Sequence, residues 1–262
     1  MYLYQELATR AEQGNPVRVG LIGAGKFGSM FLSQVPTTPG LEVAVIADLD
    51  PARALESCKT VGWPDDLIDK TRFVDDAMAM MQTGGVDVVV EATGNPAVGL
   101  THAREAIRNR LHIIMVNVEA DVLAGPLLAD EARQAGVVYS MAYGDQPALT
   151  CELVEWARAT GFDVVAAGKG TKYLPEYHSS TPDTVWDHYG LTPEQAAEAG
   201  MNSQMFNSFL DDTKSALEMA AIANATGLTP PPDGPALPPS SSAVSPRLVA
   251  AVWRLAVFCV FQ

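Results

Sequence analysis

A chain of 262 residues, 48% hydrophobic and 18% charged, can build one large or two modest domains with an ample core and has the make-up of a soluble globular protein. Its 31 acidic against 17 basic side chains leave a net charge of −14, which argues against nucleic acid or an anionic membrane as partner while allowing a small anionic substrate. Three widely spaced cysteines, Cys58, Cys151 and Cys259, with no C-x-x-C pair, argue against a disulfide framework or structural zinc and fit a reducing cytoplasm.

Residues 1–14 are polar and helical in character, with no apolar signal core, and 2–8 read as a short amphipathic helix. The branched apolar run Val17–Ile22 then leads straight into Gly23-Ala24-Gly25-Lys26-Phe27-Gly28, a G-x-G-x-x-G turn followed by a helix-compatible segment. That order is the one a dinucleotide-binding β-turn-α unit requires. Gly23 permits the tight turn, Gly25 lets backbone approach a pyrophosphate, and Gly28 lets the helix lie close on the strand. The helix N-terminus, through Lys26 and Phe27, then offers N–H groups to the phosphates. A glycine turn alone is weak evidence, so its flanks decide. A second apolar run, Leu41–Ala47, ends at Asp48, twenty residues beyond Gly28, where an acid accepts the ribose hydroxyls of the adenosine half. Asp48 argues for NAD, while Arg53 nearby could receive the extra phosphate of NADP.

Residues 29–34 continue the first helix until Pro36 and Pro39, and Asp50 caps a helix led by Pro51. The methionines of 75–81 read as core filling on a helix. Residues 86–92 form a buried strand ending in Thr93-Gly94-Asn95-Pro96, so Ala92, Thr93 and Gly94 are expected near the nicotinamide or its ribose. His102 and His112 bracket the next helix with nothing in sequence to pair them. Residues 113–117 are another strand, with Asn117 at its functional end. Residues 127–135 read as helix and 137–140 as the closing strand. This alternation predicts an α/β protein whose residues 1–145 are a Rossmann-type doubly wound parallel sheet.

Asp145 can cap a helix through Trp156, and 162–168 look like a strand of a second, incomplete α+β catalytic domain over 146–234. That strand empties into a long loop to Gly190 carrying Lys169, Lys172, Glu176 and His178. Long loops rich in such side chains are commonly sites or lids. Asn202 caps a long helix through Met205, Phe209, Leu217 and Ala220, stopped at Gly227, on which Asp211 and Lys214 share a face. Lysines beside a carbonyl can donate a proton or steady an alkoxide as hydride moves, and Lys169 and Lys172 could hold a phosphate or carboxylate. Surface lysines are common, however, and Asp211 with Lys214 also fits an ordinary surface ion pair. Asp145, Glu152 and Glu176 could clamp a metal, although their spacing does not require one. Residues 235–262 read as a Pro/Ser-rich linker and an apolar tail with no partner strand, too short and too interrupted by Arg254 to span a bilayer.

The segments Gly23 to Gly28, Glu91 to Pro96, Met115 to Asp121 and Gly168 to Pro175 resemble homoserine-dehydrogenase-related oxidoreductases. They are most similar to the reductoisomerase-like branch, which converts 1-deoxy-D-xylulose 5-phosphate to 2-C-methyl-D-erythritol 4-phosphate in isoprenoid biosynthesis. The resemblance runs from about residue 15 to about residue 233. It implies an NADP- or NAD-dependent oxidoreductase acting on a small, phosphorylated hydroxy-carbonyl substrate, with a divalent ion (Mg or Mn) polarising the carbonyl, and a homodimer. It departs from homoserine dehydrogenases at Glu119, where they place a lysine, and at Lys214-Ser215, where they carry Arg-Lys. Residues 235–262 do not resemble the branch's continuation, so a truncated chain is expected. The alternatives are a non-catalytic dinucleotide-binding protein and a homoserine-type dehydrogenase.

Overall fold

The computed structural model describes residues 2–170, 174–230, 232 and the backbone of 254–260. In the first part of the chain, α1 (Leu3–Glu12) precedes β1 (Val17–Ile22), α2 (Lys26–Gln34), β2 (Leu41–Ala47), α3 (Pro51–Thr60), α4 (Asp65–Lys70), β3 (Arg72–Val74) and α5 (Ala77–Thr83). There follow β4 (Val88–Glu91), α6 (Pro96–Arg108), β5 (His112–Met115), α7 (Val118–Ala135) and β6 (Tyr139–Met141). Short side chains start these helices. Asp50 accepts the Arg53 N–H, Asp76 the Ala79 N–H, and Asn95 the N–H groups of Ala97 and Val98.

The six strands are all parallel in the order β3-β2-β1-β4-β5-β6. Side-chain alternation along the strands feeds two cores, one on each face. Val19, Leu21, Val43, Ile46, Val88 and Val90 pack with Leu32, Ala54 and Trp63 on one face. Ile22, Val45, Val89 and Ile113 pack with Met80, Met81, Ala103 and Leu128 on the other. The fold is therefore the expected Rossmann-type doubly wound sheet, with the methionines in its core. Chain order reverses between β1 and β4, and it is beside this divergence that such sheets open a crevice at the carboxyl ends of the strands.

Three local expectations change. Helix α7 begins at Val118, nine residues earlier than its apolar spacing alone indicates. Asn117 caps it by accepting the Ala120 N–H at 3.1 Å, and Pro126 is accommodated within it. His102 has a partner after all, Glu91, with Nδ1 and Oε1 3.2 Å apart. His112 accepts the Val138 N–H at Nδ1, 3.0 Å away.

The chain divides into two compact units, Met1–Ala142 and Tyr143–Gln262. In the second, α8 (Gln146–Ala159) starts at Asp145 and β7 (Asp163–Gly170) follows it. A 3-10 turn at Pro175–Ser179 leads to α9 (Val185–Tyr189), α10 (Pro193–Glu198), α11 (Ser203–Leu210) and α12 (Thr213–Thr226). β8 (Arg254–Val260) lies parallel to β7 in a two-stranded sheet, so the apolar tail does have a partner strand. Val154, Ala157 and Val164 form one small core, and Val185, Trp186 and Ala196, with Phe206 against the Trp186 ring, form another.

The expected long loop is thus partly helical, because Pro175 and Thr184 start short turns that bury Tyr177, Val185 and Trp186. The expected long helix is two. Asp211 ends α11 while Asp212 adopts φ +72°, which breaks the run before α12. A non-glycine residue there costs about 1 kcal/mol, and Asp212 Oδ1 is buried with no hydrogen-bond partner among the described residues. Asp212→Gly is expected to raise the unfolding free energy by about 0.5–1 kcal/mol, read as a higher denaturant midpoint at unchanged slope. A lower midpoint would mean that this aspartate makes an interaction worth more than its strain.

Candidate functional site

β1 ends at Ile22 and the chain turns at Gly23, where φ is +92°. A Cβ on Gly23 would stand 2.9 Å from the Ala92 carbonyl oxygen and 3.3 Å from the Thr93 nitrogen, so the turn lies directly on the end of β4. A Cβ on Gly28 would meet the Gly23 carbonyl, which is why α2 can return so close over its own turn. Gly25 is different: a Cβ there meets no described atom within 4 Å. It stands at the N-terminus of α2 in extended conformation, and no side chain caps that helix. Lys26 and Phe27 follow as exposed residues. The N–H groups of the first helical turn therefore lie beside a backbone with open space over it. A pyrophosphate fits such a cradle by geometry and by the helix dipole.

Asp48 follows β2 and is buried. Its Oδ2 accepts the Ala24 N–H at 2.8 Å, and Oδ1 accepts the Asp50 N–H at 3.0 Å. The Arg53 guanidinium reaches both oxygens, at 2.8 and 2.9 Å. Burial pushes the Asp48 carboxyl up, but these N–H groups and the Arg53 charge together hold it below the usual carboxylate range. Asp48 thus ties the glycine turn to β2, and its charge is already matched. The Arg53 side chain remains 56% exposed.

At the end of β4, the exposed turn Thr93-Gly94-Asn95 follows, with Gly94 at φ +71°. Asn117 is buried, donates from Nδ2 to the Asn95 carbonyl at 2.9 Å and caps α7 with its oxygen. Both ends of its amide are occupied by backbone, so it supports the turn from beneath. The cofactor residues read from sequence therefore share one end of one sheet. Gly23, Gly25, Ala92, Thr93 and Gly94 form its surface, Gly28 lies beneath the turn, and Asp48 and Asn117 brace it.

The second unit sorts its candidates differently. Lys169 lies on β7, not in a loop, and forms an ion pair with Glu218 of α12. Glu218 is 2% exposed, and Lys214, one turn earlier on α12, stands 3.8 Å from it. Asp211 is not Lys214's partner. It accepts the Asn207 Nδ2–H at 2.8 Å and the Thr213 N–H at 2.9 Å, closing α11. Glu176 and His178 are exposed on the 3-10 turn and make no hydrogen bond to the lysine–glutamate group among the described residues. Lys172 lies outside the described residues. Glu218 was missed in the sequence, although its i,i+4 spacing from Lys214 was a visible sign.

The metal clamp does not assemble from its expected members. Asp145 accepts the Gln146 N–H at 2.9 Å, and Glu152 accepts the Tyr143 hydroxyl at 2.6 Å. Among the described residues no three His, Cys, Asp or Glu side chains gather as a ligand set, and no helix is long and apolar enough to cross a membrane.

Comparison with the curated proteins gives no match. Among solved structures, the chain is similar to an NAD binding oxidoreductase from Klebsiella pneumoniae, at 22% identity and TM-score 0.43, covering 63% of this chain and 44% of that one. It is similar to biliverdin reductase from Synechocystis, solved with biliverdin and NADP+, at 15% identity and TM-score 0.42, covering 61% and 48%. It is also similar to S. aureus homoserine dehydrogenase, at 20% identity and TM-score 0.37, covering 48% and 32%. The chain spans less than half the length of each of these three proteins. Two family models meet near the boundary between the units: residues 17–143 match the NAD-binding Rossmann fold of the GFO/IDH/MocA oxidoreductase family, and residues 144–252 match the catalytic domain of the oxidoreductase DRL.

Proposed function

We propose that the chain is an NAD(P)-dependent oxidoreductase whose first unit holds the dinucleotide and whose second unit presents a small, phosphorylated hydroxy-carbonyl substrate of the 1-deoxy-D-xylulose 5-phosphate kind. The observation that carries the cofactor half is the open face of Gly25 over the uncapped start of α2, at the divergence of β1 and β4. The match of residues 144–252 to an oxidoreductase catalytic domain supports turnover. The reductoisomerase-like segments noted in the sequence support the substrate class.

When bound, the nicotinamide supplies or accepts a hydride. The chain's own part is to hold the pyrophosphate on α2, keep Asp48 ionised beneath the turn, and offer positive charge to the substrate. Lys169, Glu218 and Lys214 carry one net positive charge between them, which suits a phosphate or a developing alkoxide. Glu218 draws both lysine side chains to one place, where either can return a proton to an alkoxide oxygen.

Arg53 decides the cofactor in this reading. Because it already balances Asp48, the acid repels a 2′-phosphate less, and the exposed guanidinium has further N–H groups for one. NADP is therefore the preferred cofactor. Arg53→Ala should weaken NADPH about tenfold while changing NADH less than about threefold, as expected for loss of one charged hydrogen-bond donor. Equal losses for both cofactors, measured by nicotinamide fluorescence, would contradict that assignment.

Gly25→Val tests the cradle itself. Its side chain enters open space in the free protein, so the melting temperature should move by no more than about 2 °C. NADPH affinity should fall at least about a hundredfold. Retained affinity would remove Gly25 from the site. Turnover is tested by following reduced nicotinamide absorbance with sugar-phosphate ketones beside homoserine. Binding without turnover on any of them would leave a non-catalytic dinucleotide-binding protein.

A further inference from the structure

Glu91 ends a strand otherwise made of valine, and it is fully buried. Its Oε1 accepts a 2.5 Å hydrogen bond from the Thr93 hydroxyl and lies 3.2 Å from His102 Nδ1 on α6. Its Oε2 is buried without a hydrogen-bond partner among the described residues. A leucine or valine would complete this apolar strand without the desolvation a carboxylate carries, so stability is a poor reason for the acid. What the carboxylate holds is the exposed turn above it.

Two buried side chains grip that turn at opposite ends. Glu91 takes the Thr93 hydroxyl, and Asn117 donates to the Asn95 carbonyl at 2.9 Å. Gly99 makes room for both: a Cβ there would stand 3.2 Å from Glu91 Oε2 and 2.9 Å from Asn117 Nδ2. The gripped turn begins at the Ala92 carbonyl on which Gly23 rests. Movement of Thr93 would therefore alter the floor of the crevice on the β4 side.

We infer that Glu91 is a positioning residue for the nicotinamide half of the dinucleotide, acting through the Thr93 hydroxyl to fix the turn after β4. His102, with Nδ1 as donor, steadies the same oxygen from the α6 side and keeps the carboxylate aimed at Thr93. This rests on the reading of the crevice as a dinucleotide site.

The test is a double-mutant cycle on the full chain, read as NADPH and NADH dissociation constants beside the melting temperature of the free protein. Glu91→Leu and Thr93→Val should each weaken binding about tenfold, and together no more than about threefold beyond either alone. Glu91→Gln, which keeps an acceptor for Thr93, should stay within about threefold of the wild type. A structural role alone predicts that Glu91→Leu leaves affinity unchanged while moving only the melting temperature. That result, or losses that multiply in the double variant, would overturn the inference. Should Glu91→Leu fail to fold, Glu91→Asp, which draws the carboxylate back from Thr93, takes its place in the cycle with the same expected and contrary outcomes. A wild type that binds neither nucleotide overturns both this inference and the proposed function. A wild type that binds, with multiplying losses, overturns this inference alone.

Discussion

Backbone touching backbone, with no side chain between, sets the geometry of the first unit. Gly23 sits on the Ala92 carbonyl, and Gly28 returns over Gly23. These contacts bring the end of β1, the start of α2 and the end of β4 together at the one place where strand order reverses. Any side chain at Gly23 would have to displace the Ala92–Thr93 backbone, and one at Gly28 would displace the turn. Gly25 lies under no such packing constraint. It leaves the start of α2 open, and this asymmetry among the three glycines is the arrangement a dinucleotide-binding turn requires.

Charge follows the same layout. Asp48 reaches back to the Ala24 N–H and is matched by Arg53, so the turn is pinned to β2 by a carboxylate held ionised in a buried place. Glu91 and Asn117 brace the opposite wall. In the second unit, a buried glutamate organises two lysines between a strand and a helix. Across a chain with a net charge of −14, these are local arrangements that set a few cations where an anion could use them.

Much of the first unit was legible in sequence because its signals are local. The run from Val17 into the glycine turn, the acid after β2 and the caps at Asp50 and Asp145 each depend on neighbours a few residues away. What was not legible depended on distance or on brevity. β3 has only three residues and no alternation to read, and Pro126 hid the early start of α7. No glycine or proline marks the break at Asp212, so one helix was expected where there are two. The pairing of Glu91 with His102 joins a strand to a helix, and that of Lys169 with Glu218 joins β7 to α12; neither follows from spacing. Of the candidate site, the glycine turn, Asp48 and the turn after β4 could be placed at one end of the sheet from local signals, while the pairing of Asp48 with the Ala24 N–H across the turn could not. The lysine cluster could be read only in part, because its organising glutamate lies in a different element from Lys169.

Backbone amide shifts of the isotopically labelled chain, recorded as NADP+ is added, show where on the first unit the dinucleotide sits. The Gly25, Lys26 and Phe27 amides should shift first and furthest, with Thr93 and Gly94 following at the same saturation. Shifts centred on other residues, with the amides at the start of α2 unmoved at saturation, would contradict a pyrophosphate held on α2.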